Sequence, residues 1–123
     1  MTKTRRRGAE RRGRLAESLC VWWLRLKGYR IVARDYRVAV GEVDILAWRG
    51  SALAAIEVKA RGDRDLATEA VSPRQRRRIE RAVGHFLVRR PDLARLAVRF
   101  DVMLVTPGRL PHHLIDAWRE GDF

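Results

Sequence analysis

The sequence predicts an α/β fold in the order α-β-β-β-α-β, with a mixed sheet flanked by helices. Apolar residues recur with helical spacing in two segments, while four other segments have the alternating or continuous apolar patterns of strands. The helical segments are residues 10–27 and 73–90, and the strand segments are residues 29–38, 41–48, 52–60 and 96–106. The first three strands should form an antiparallel meander, which the second helix joins to the fourth strand. Residues 109–119 should add a short strand or turn.

The two helices have recognisable ends. Gly28 is a C-terminal cap residue, and Ser72-Pro73 combines an N-cap serine with proline at the first helical position. Pro91 ends the second helix. Helical spacing predicts a buried stripe on the first helix and a core-covering tryptophan near the last strand. These residues are Leu15, Ala16, Leu19, Trp23 and Leu26, broadened by Cys20 and Trp22, and Trp118.

Composition and charge narrow the class of protein. The chain has 123 residues, of which 46% are hydrophobic, and this fits one domain with a modest core. Its 27 basic and 15 acidic residues give a net charge of +12, which attracts polyanions. We predict a flexible basic arm over residues 1–9 and a single domain over 10–123. The single cysteine, Cys20, excludes a disulfide framework, so we expect a cytoplasmic protein, and no apolar stretch is long enough to span a membrane.

Residues 41–61 contain the strongest candidate for a chemical site. Glu57 and Lys59 are two residues apart on a predicted strand and therefore share a face. Asp44 lies on the preceding strand, at a similar distance from the turn at Arg49-Gly50-Ser51. Two carboxylates that face one point repel each other unless a proton or cation lies between them, and such hard ligands suit Mg²⁺ or Mn²⁺. A neighbouring lysine can stabilise charge on a phosphate.

The same three residues could instead form an ordinary salt bridge on an exposed sheet face. Acidic and basic residues commonly alternate on exposed strands, so the D…ExK pattern alone favours this interpretation. However, Ala54, Ala55, Ile56 and Val58 indicate a central strand. Charged residues in the middle of a central strand require a specific reason, which favours a functional site.

The second helix has a basic face opposite its apolar face. The basic-type residues are Arg74, Arg77, Arg78, Arg81, His85 and Arg89, and the apolar residues are Ile79, Ala82, Val83, Phe86 and Leu87. The basic face is either simply solvated or a track for a phosphate backbone, and we prefer the second interpretation. Gln75 is predicted on the apolar side of the first turn, where its side chain can reach a site at the sheet edge. Glu17 lies at the margin of the first helix's stripe.

Several short motifs resemble those of a known family. They are Ala16-Glu17, Gly28-Tyr29, Gly41-Glu42-Val43-Asp44-Ile45, Ile56-Glu57-Val58-Lys59-Ala60-Arg61 and Arg99-Phe100-Asp101-Val102. Through them the chain, over roughly residues 8–118, resembles the YraN family of uncharacterised bacterial proteins. That family is similar to the PD-(D/E)xK nuclease superfamily, and most similar within it to archaeal Holliday junction resolvases.

The resemblance implies a restriction-endonuclease-like core and a Mg²⁺ or Mn²⁺ cofactor. Asp44 matches the motif aspartate, Glu57 the motif acid and Lys59 the motif lysine. Glu17 matches the first-helix glutamate and Gln75 the second-helix Lys/Gln, which completes the implied catalytic set. The implied metal ligands are Asp44, Glu57 and the carbonyl of Val58. The expected nucleic-acid contacts are Arg74, Arg77, Arg78, Arg81 and Arg61.

Three positions depart from the family pattern. Val43 replaces the proline of the superfamily's name, Gln75 stands where many relatives have lysine, and Asp35 stands where the family usually has asparagine. None of these changes removes an implied metal ligand.

These features lead us to expect a metal-dependent DNA endonuclease that hydrolyses phosphodiesters, with branched or recombination and repair intermediates as candidate substrates. One alternative is a non-catalytic nucleic-acid-binding module that retains the nuclease fold, and another is an adaptor for DNA-processing machinery. The intact Asp44, Glu57 and Lys59 set favours the enzyme, because a binding module does not need inward carboxylates that repel phosphate. The expected partner is nucleic acid, DNA in particular, and a homodimer is left open.

Overall fold

The computed structural model describes the backbone of residues 3–60 and 71–121 and the side chains of residues 13–60 and 71–121. The helices are α1 (Lys3–Leu26) and α2 (Pro73–Arg89), with a 3-10 turn at Pro91–Leu93. The strands are β1 (Arg30–Val38), β2 (Gly41–Arg49), β3 (Ala52–Ala60), β4 (Ala97–Val105) and β5 (His112–Trp118).

All five strands form one mixed sheet in the order β1-β2-β3-β4-β5. Strands β3 and β4 are parallel, and every other neighbouring pair is antiparallel. A parallel pair needs a crossover connection, and α2 provides it between β3 and β4. The predicted order and mixed sheet are confirmed, and they form an α/β fold of the restriction-endonuclease-like type.

The two helices cover opposite faces of the sheet and create two separate cores. On one face Cys20 and Leu24 of α1 pack with Ile45 and Ile56. The α2 residues Ile79, Ala82, Val83 and Phe86 pack on the other face with Val43, Leu46, Leu53 and Ala55. The apolar face predicted for α2 is therefore confirmed. Since both faces are covered, the middle of β3 is almost entirely apolar.

Helix α1 differs from its prediction in two respects. It begins at Lys3 rather than near residue 10, so its backbone is helical over most of the segment predicted as an arm. The predicted buried stripe was wrong for Leu15, Trp22 and Leu26, which are 64%, 49% and 62% exposed. The buried stripe consists of Ala16, Cys20, Val21 and Leu24. Apolar side chains occur on several sides of this helix, so spacing alone did not identify the side that faces the sheet.

Helix α2 begins at the predicted N-cap. The Ser72 hydroxyl oxygen accepts a hydrogen bond from the backbone N–H of Gln75 at 3.2 Å. One turn later the helix lies against the start of β2, because a Cβ added at Gly41 would overlap the carbonyl oxygen of Arg78. The glycine that opens the GEVD motif therefore allows the helix and strand backbones to come close.

A buried polar cluster joins β4, β5 and the end of α1. Asp101 is fully buried and accepts hydrogen bonds from Arg99 (2.8 Å, Nη2 to Oδ2) and from the backbone N–H of Asp116 (2.9 Å). His113 Nε2 lies 2.8 Å from the same carboxylate, and its Nδ1 lies 2.9 Å from Lys27 Nζ. Since a lysine ammonium only donates, His113 Nδ1 accepts from Lys27, and the Nε2–H of His113 donates a hydrogen bond to the Asp101 carboxylate.

Trp118 lies over the core, as predicted. Its side chain is 3% exposed and its ring stacks on Phe100 with centroids 5.2 Å apart. Neither helix in the described part of the chain is long and apolar enough to cross a membrane.

Candidate active site

The candidate site forms where β2 separates from β3. The β2–β3 ladder pairs Arg49 with Ala52 at the turn and ends at Ile45 and Ile56. Asp44 is the next residue of β2, and its Oδ2 accepts a hydrogen bond from the backbone N–H of Val58 at 2.8 Å. The Asp44 carboxylate thus accepts the hydrogen bond of a β3 backbone N–H at the point where β2 no longer provides a backbone acceptor.

A backbone kink in β1 accompanies this separation. Asp35 has a φ of 48°, in the left-handed region. The residues beside it, Arg34 and Tyr36, would share a face in a regular strand, but Arg34 contacts α1 through Glu17 while Tyr36 contacts α2 through His85. Aspartate and asparagine tolerate the left-handed conformation better than most residues. Aspartate is therefore suited to the backbone conformation at position 35.

The same inversion of faces occurs in β2. Val43 packs in the core under α2, and Ile45, two residues later, packs in the core under α1. In the β1–β2 register Asp44 lies opposite Asp35, between these two residues. The kink therefore directs the β1–β2 hairpin towards α2 and opens space beside Asp44.

The carboxyl groups of Asp44 and Glu57 lie within interaction range of each other, as one-step continuation of the β2–β3 register would place them. Burial, and then the negative charge of Asp44, raises the pKa of Glu57 to about 8 despite the nearby lysine. Burial also raises the pKa of Asp44, against the opposing effect of the Val58 N–H. The raised pKa keeps the Glu57 carboxyl protonated beside Asp44 at neutral pH. The structure brings these two predicted site residues close together.

Lys59 lies beside Glu57 on the same strand face, as alternation predicted. Its Nζ is 3.4 Å from Glu57 Oε1, and the two side chains are only 14% and 13% exposed. The pair is thus partly removed from water, where a charge contact has a larger effect than on an exposed surface.

Glu17 reaches the same region from α1. Its carboxylate is held by Arg34, with Nε to Oε1 at 3.3 Å, and Arg34 also donates to the hydroxyl of Ser18 at 3.1 Å. Burial raises the pKa of Glu17 against the effect of this hydrogen bond, and the charge of Asp44 raises it further. The sequence did not indicate Arg34 as a site residue. In a regular β1 it would share a face with Tyr36, which contacts α2, and it would not reach Glu17 on α1.

A cavity of about 440 Å³ opens between α1 and the separating strands. Its lining residues combine carboxylates, arginines and backbone of β3. They are Gly13, Arg14, Ala16, Glu17, Asp35, Arg37, Asp44, Val58 and Ala60. The structure therefore places Glu17, Asp44 and Val58 around one space, with Glu57 and Lys59 adjoining Asp44. Arg14 and Arg37 were not predicted at this site.

The other predicted residues lie elsewhere. Gln75 is half-buried in the first turn of α2 but is not among the residues that line the cavity. Arg74, Arg77 and Arg81 are exposed on α2, whereas Arg78 is half-buried near Gly41. Arg61 belongs to residues 61–70, outside the described part of the chain.

The donor atoms near Asp44 fit a hard cation only with help from water. Within residues 13–60 and 71–121, no three His, Cys, Asp or Glu side chains form a group arranged to hold a metal. Asp44, Glu57 and the Val58 carbonyl supply two carboxylates and a neutral oxygen, and Mg²⁺ typically retains several waters beside one or two carboxylates. Protonation of Glu57 neutralises the pair in the absence of a metal, and a bound cation would do so in its place.

Cysteine chemistry is not available at this site. Cys20 is fully buried, and its burial, with the charges of Asp44 and Glu17, raises the pKa of its thiol to about 12. The reactive thiolate is therefore not populated at neutral pH.

The raised pKa of Glu57 predicts a pH-dependent stability for the metal-free protein. The pKa of this carboxyl in the unfolded chain is about 4.5, so between pH 4.5 and 8 the native state holds a proton that the unfolded state has lost. Wild-type stability should therefore fall as pH rises through this window. Each pKa unit by which the native and unfolded states differ corresponds to about 1.4 kcal/mol of stability. Glu57→Gln lacks this carboxyl, so its free energy of unfolding relative to that of wild type should rise by more than about 1.4 kcal/mol between pH 5 and pH 8.

Urea unfolding in a chelator measures this difference. The exposed carboxylate of Glu42 on β2 offers a matched control, Glu42→Gln. If Glu57→Gln and wild type show the same pH dependence, Glu57 is not the group that holds the proton.

Comparison with known proteins assigns the family. Residues 16–105 match the family model described as "Uncharacterised protein family UPF0102". A UPF0102 protein of Parvibaculum lavamentivorans is 57% identical over 90% of this chain and 84% of its own length. UPF0102 proteins of Paramagnetospirillum magneticum and Maricaulis maris are 53% and 48% identical, over 90% and 99% of this chain and 89% and 95% of their own lengths. The chain therefore belongs to the UPF0102 family, the YraN family that its motifs predicted.

Proposed function

We propose that this protein is a metal-dependent DNA endonuclease that hydrolyses phosphodiesters, with branched or other recombination and repair intermediates as candidate substrates. One observation carries the proposal. Asp44 and Glu57 form a half-buried carboxylate pair beside an open cavity, and Lys59 lies next to the pair. Two adjacent buried carboxylates destabilise a fold unless a cation or proton neutralises them, so a binding function gives them a reason.

Asp44, Glu57 and the Val58 carbonyl would hold the cation. Mg²⁺ or Mn²⁺ bound there would supply Lewis-acid polarisation of the phosphate and lower the pKa of a water molecule. Glu57 releases its proton when it becomes a ligand, so cation affinity should increase with pH up to about 8. The Val58 N–H keeps the Asp44 carboxylate in place.

Two further side chains have roles in this proposal. Lys59 provides a compact positive charge for the non-bridging phosphate oxygens, on which negative charge increases as water attacks phosphorus. Glu17, held by Arg34, accepts hydrogen bonds from water in the cavity and so positions it for attack. Both roles need the side chain to be fixed before substrate arrives, and both side chains have fixed partners.

The charge distribution supports DNA as the substrate. The chain has a net charge of +12, and Arg14 and Arg37 lie at the cavity itself. The exposed arginines of α2, among them Arg74 and Arg81, add positive charge on the other side of the β1–β2 hairpin. Phosphate contacts of this kind supply most of sequence-independent nucleic-acid binding.

A second candidate is a nucleic-acid-binding module or adaptor without catalysis. The protonated Glu57 and the adjacent Lys59 support it, because together they neutralise the carboxylate pair without a metal. The two candidates differ in whether the protein binds a divalent cation.

Calorimetric titration with Mn²⁺ distinguishes them. We expect wild type to bind the ion, and Asp44→Asn and Glu57→Gln to show no detectable binding while circular dichroism shows a retained fold. Both variants are isosteric, so they remove ligand charge with little change in packing. Glu42→Gln, which removes an exposed carboxylate, should bind Mn²⁺ like wild type. Absence of binding by wild type, or unchanged binding by both site variants, would contradict the proposal.

A further inference from the structure

A second group of arginines lies at the opposite end of β2 from the candidate active site. We call it the turn-end surface. It consists of Arg30, Arg95 and Trp48 on the α2 side of the sheet and of Arg49 and Tyr29 on the α1 side, around the same end of β2. Asp44 and Arg49 are five positions apart on β2, and at about 3.3 Å per residue this separates the two regions by roughly 17 Å. The turn-end surface is therefore not part of the cavity around Asp44.

Aromatic rings hold these arginines in place. The guanidinium carbons of Arg30 and Arg95 lie 5.6 Å and 5.4 Å from the centroid of the Trp48 ring. The Trp48 indole N–H donates to the carbonyl oxygen of Gly50 at 2.7 Å, which fixes the ring. Arg49 lies over the Tyr29 ring at 5.5 Å. Cation–π contacts restrict a guanidinium while the N–H donors at its edge remain able to bind another group.

In the described part of the chain, these three guanidinium groups have no carboxylate partner. Elsewhere arginines have acidic partners: Arg34 binds Glu17, Arg90 binds Asp92 and Arg99 binds Asp101. Among the residues that the structure describes, no carboxylate lies within ion-pair distance of the arginines of the turn-end surface.

A carboxylate on which Arg95 acts already has another partner. The charge of Arg95 acts on Asp92, but that exposed carboxylate is held at both oxygens by Arg90. The turn-end surface thus presents exposed, oriented positive charge that no carboxylate of residues 13–60 or 71–121 pairs with.

We propose that the turn-end surface binds the phosphate backbone of nucleic acid, at a position separate from the candidate active site. Guanidinium edges bind phosphate oxygens bidentately, and rings that hold them flat reduce the side-chain entropy lost on binding. Trp48 is half-buried with two guanidinium groups over its ring, so it orients arginines rather than stacking on a base. Recognition at this surface therefore depends on phosphate and is independent of base sequence.

The test compares two double variants that remove the same charge. Arg30→Gln with Arg95→Gln removes both guanidinium groups over Trp48, and Arg25→Gln with Arg109→Gln removes two exposed arginines outside the turn-end surface. The probe is a fluorescent DNA duplex of about 20 base pairs, titrated in a chelator at about 50 to 200 mM salt. The slope of log affinity against log salt falls by about 0.9 per lost phosphate contact on duplex DNA. We expect a decrease of about 1.8 for the first variant and little change for the second.

A single substitution tests the other ring independently. Arg49→Gln removes the guanidinium over Tyr29 and should lower the slope by about 0.9. Circular dichroism and the unfolding midpoint show whether each variant keeps its fold. If the double variant unfolds, the Arg49→Gln slope decides the question.

Equal slopes for the surface and control variants would overturn the proposal, as would a wild type that does not bind duplex DNA. The result is independent of the proposed nuclease, because the titration contains no divalent cation. Failure of Mn²⁺ binding would contradict the nuclease and leave this measurement unchanged.

Discussion

Lys59→Ala should reduce DNA cleavage by at least about 100-fold while leaving Mn²⁺ affinity close to that of wild type. The Lys59 Nζ lies 3.4 Å from Glu57 Oε1, so it is beside the carboxylate pair and is not a candidate ligand. A positive charge that acts mainly on the transition state affects the rate more than it affects cation binding. The Lys59 ammonium repels a cation held by Glu57 and Asp44. Its removal should therefore leave Mn²⁺ binding as strong as in wild type or stronger.

The assay uses single-turnover cleavage of labelled four-way junction, flap, nicked duplex and single-stranded DNA, each in Mg²⁺ and in Mn²⁺. Lys59→Arg is the matched variant, and we expect only partial recovery because a planar fork does not replace a compact ammonium. Equal cleavage by wild type and Lys59→Ala would exclude the role given to the lysine. A wild type that binds DNA and Mn²⁺ but cleaves none of the substrates would favour the non-catalytic alternative.

Alternation along β3 was sufficient to predict the central part of this site. A period of two residues places Glu57 and Lys59 together and places Ile56 and Val58 on the other face. The position of the turn fixed the register, and the register brought Asp44 to Glu57. The relative positions of Asp44, Glu57 and Lys59 depend only on strand geometry over a few residues, so they can be predicted from a single sequence.

The cavity beside Asp44 could not be predicted in this way. It depends on the positive φ of Asp35, which sends Arg34 to α1 and Tyr36 to α2. One residue in the left-handed region reverses the faces of the residues that follow, and the pattern of apolar residues in β1 does not show where this happens. Aspartate inside a strand segment was the available signal, because it is depleted in regular strands.

The side of α1 that packs on the sheet could not be predicted from the sequence, for a different reason. Leu15 and Leu26 are as apolar as Leu24, but only Leu24 is buried. The sheet that covers α1 is formed by residues far along the chain, so which side of the helix it covers is a tertiary property. The wrong buried face of α1 also affected the prediction for Glu17. This residue was placed at the margin of the predicted apolar stripe, whereas in the structure it lines the cavity.

The buried Asp101 was likewise not recognisable as the centre of a network. Its partners Tyr29, Arg99, His113 and Asp116 come from separate parts of the chain, with Tyr29 linked through Arg99. Burial alone would raise the pKa of Asp101, but hydrogen bonds from His113, Arg99 and the Asp116 backbone hold it below the usual value. The carboxylate is therefore charged at neutral pH and its partners depend on it.

Asp101→Ala should destabilise the protein by about 3–5 kcal/mol, the usual effect of removing one partner from a buried ion pair. The substitution leaves the Arg99 guanidinium, the His113 ring and a backbone N–H without their acceptor, and each is at least partly buried. Asp92→Ala is a close control, because Arg90 and Asp92 repeat the same two-residue spacing and two-point hydrogen bonding on the exposed surface. Water replaces the lost acceptor there, so little or no change is expected.

Urea unfolding at several pH values separates the charge contribution of Asp101 from its packing. A carboxylate with a lowered native pKa stabilises the fold above its unfolded value of 3.8, and this contribution is lost as pH falls through the native pKa. The difference in free energy of unfolding between wild type and Asp101→Ala should therefore be widest near neutral pH and should narrow below about pH 4.

Similar losses of stability for Asp101→Ala and Asp92→Ala would mean that burial does not strengthen the pair between Arg99 and Asp101. A gap that stays constant down to pH 3 would mean that the cluster acts through shape alone, since protonation would then remove nothing that the fold uses.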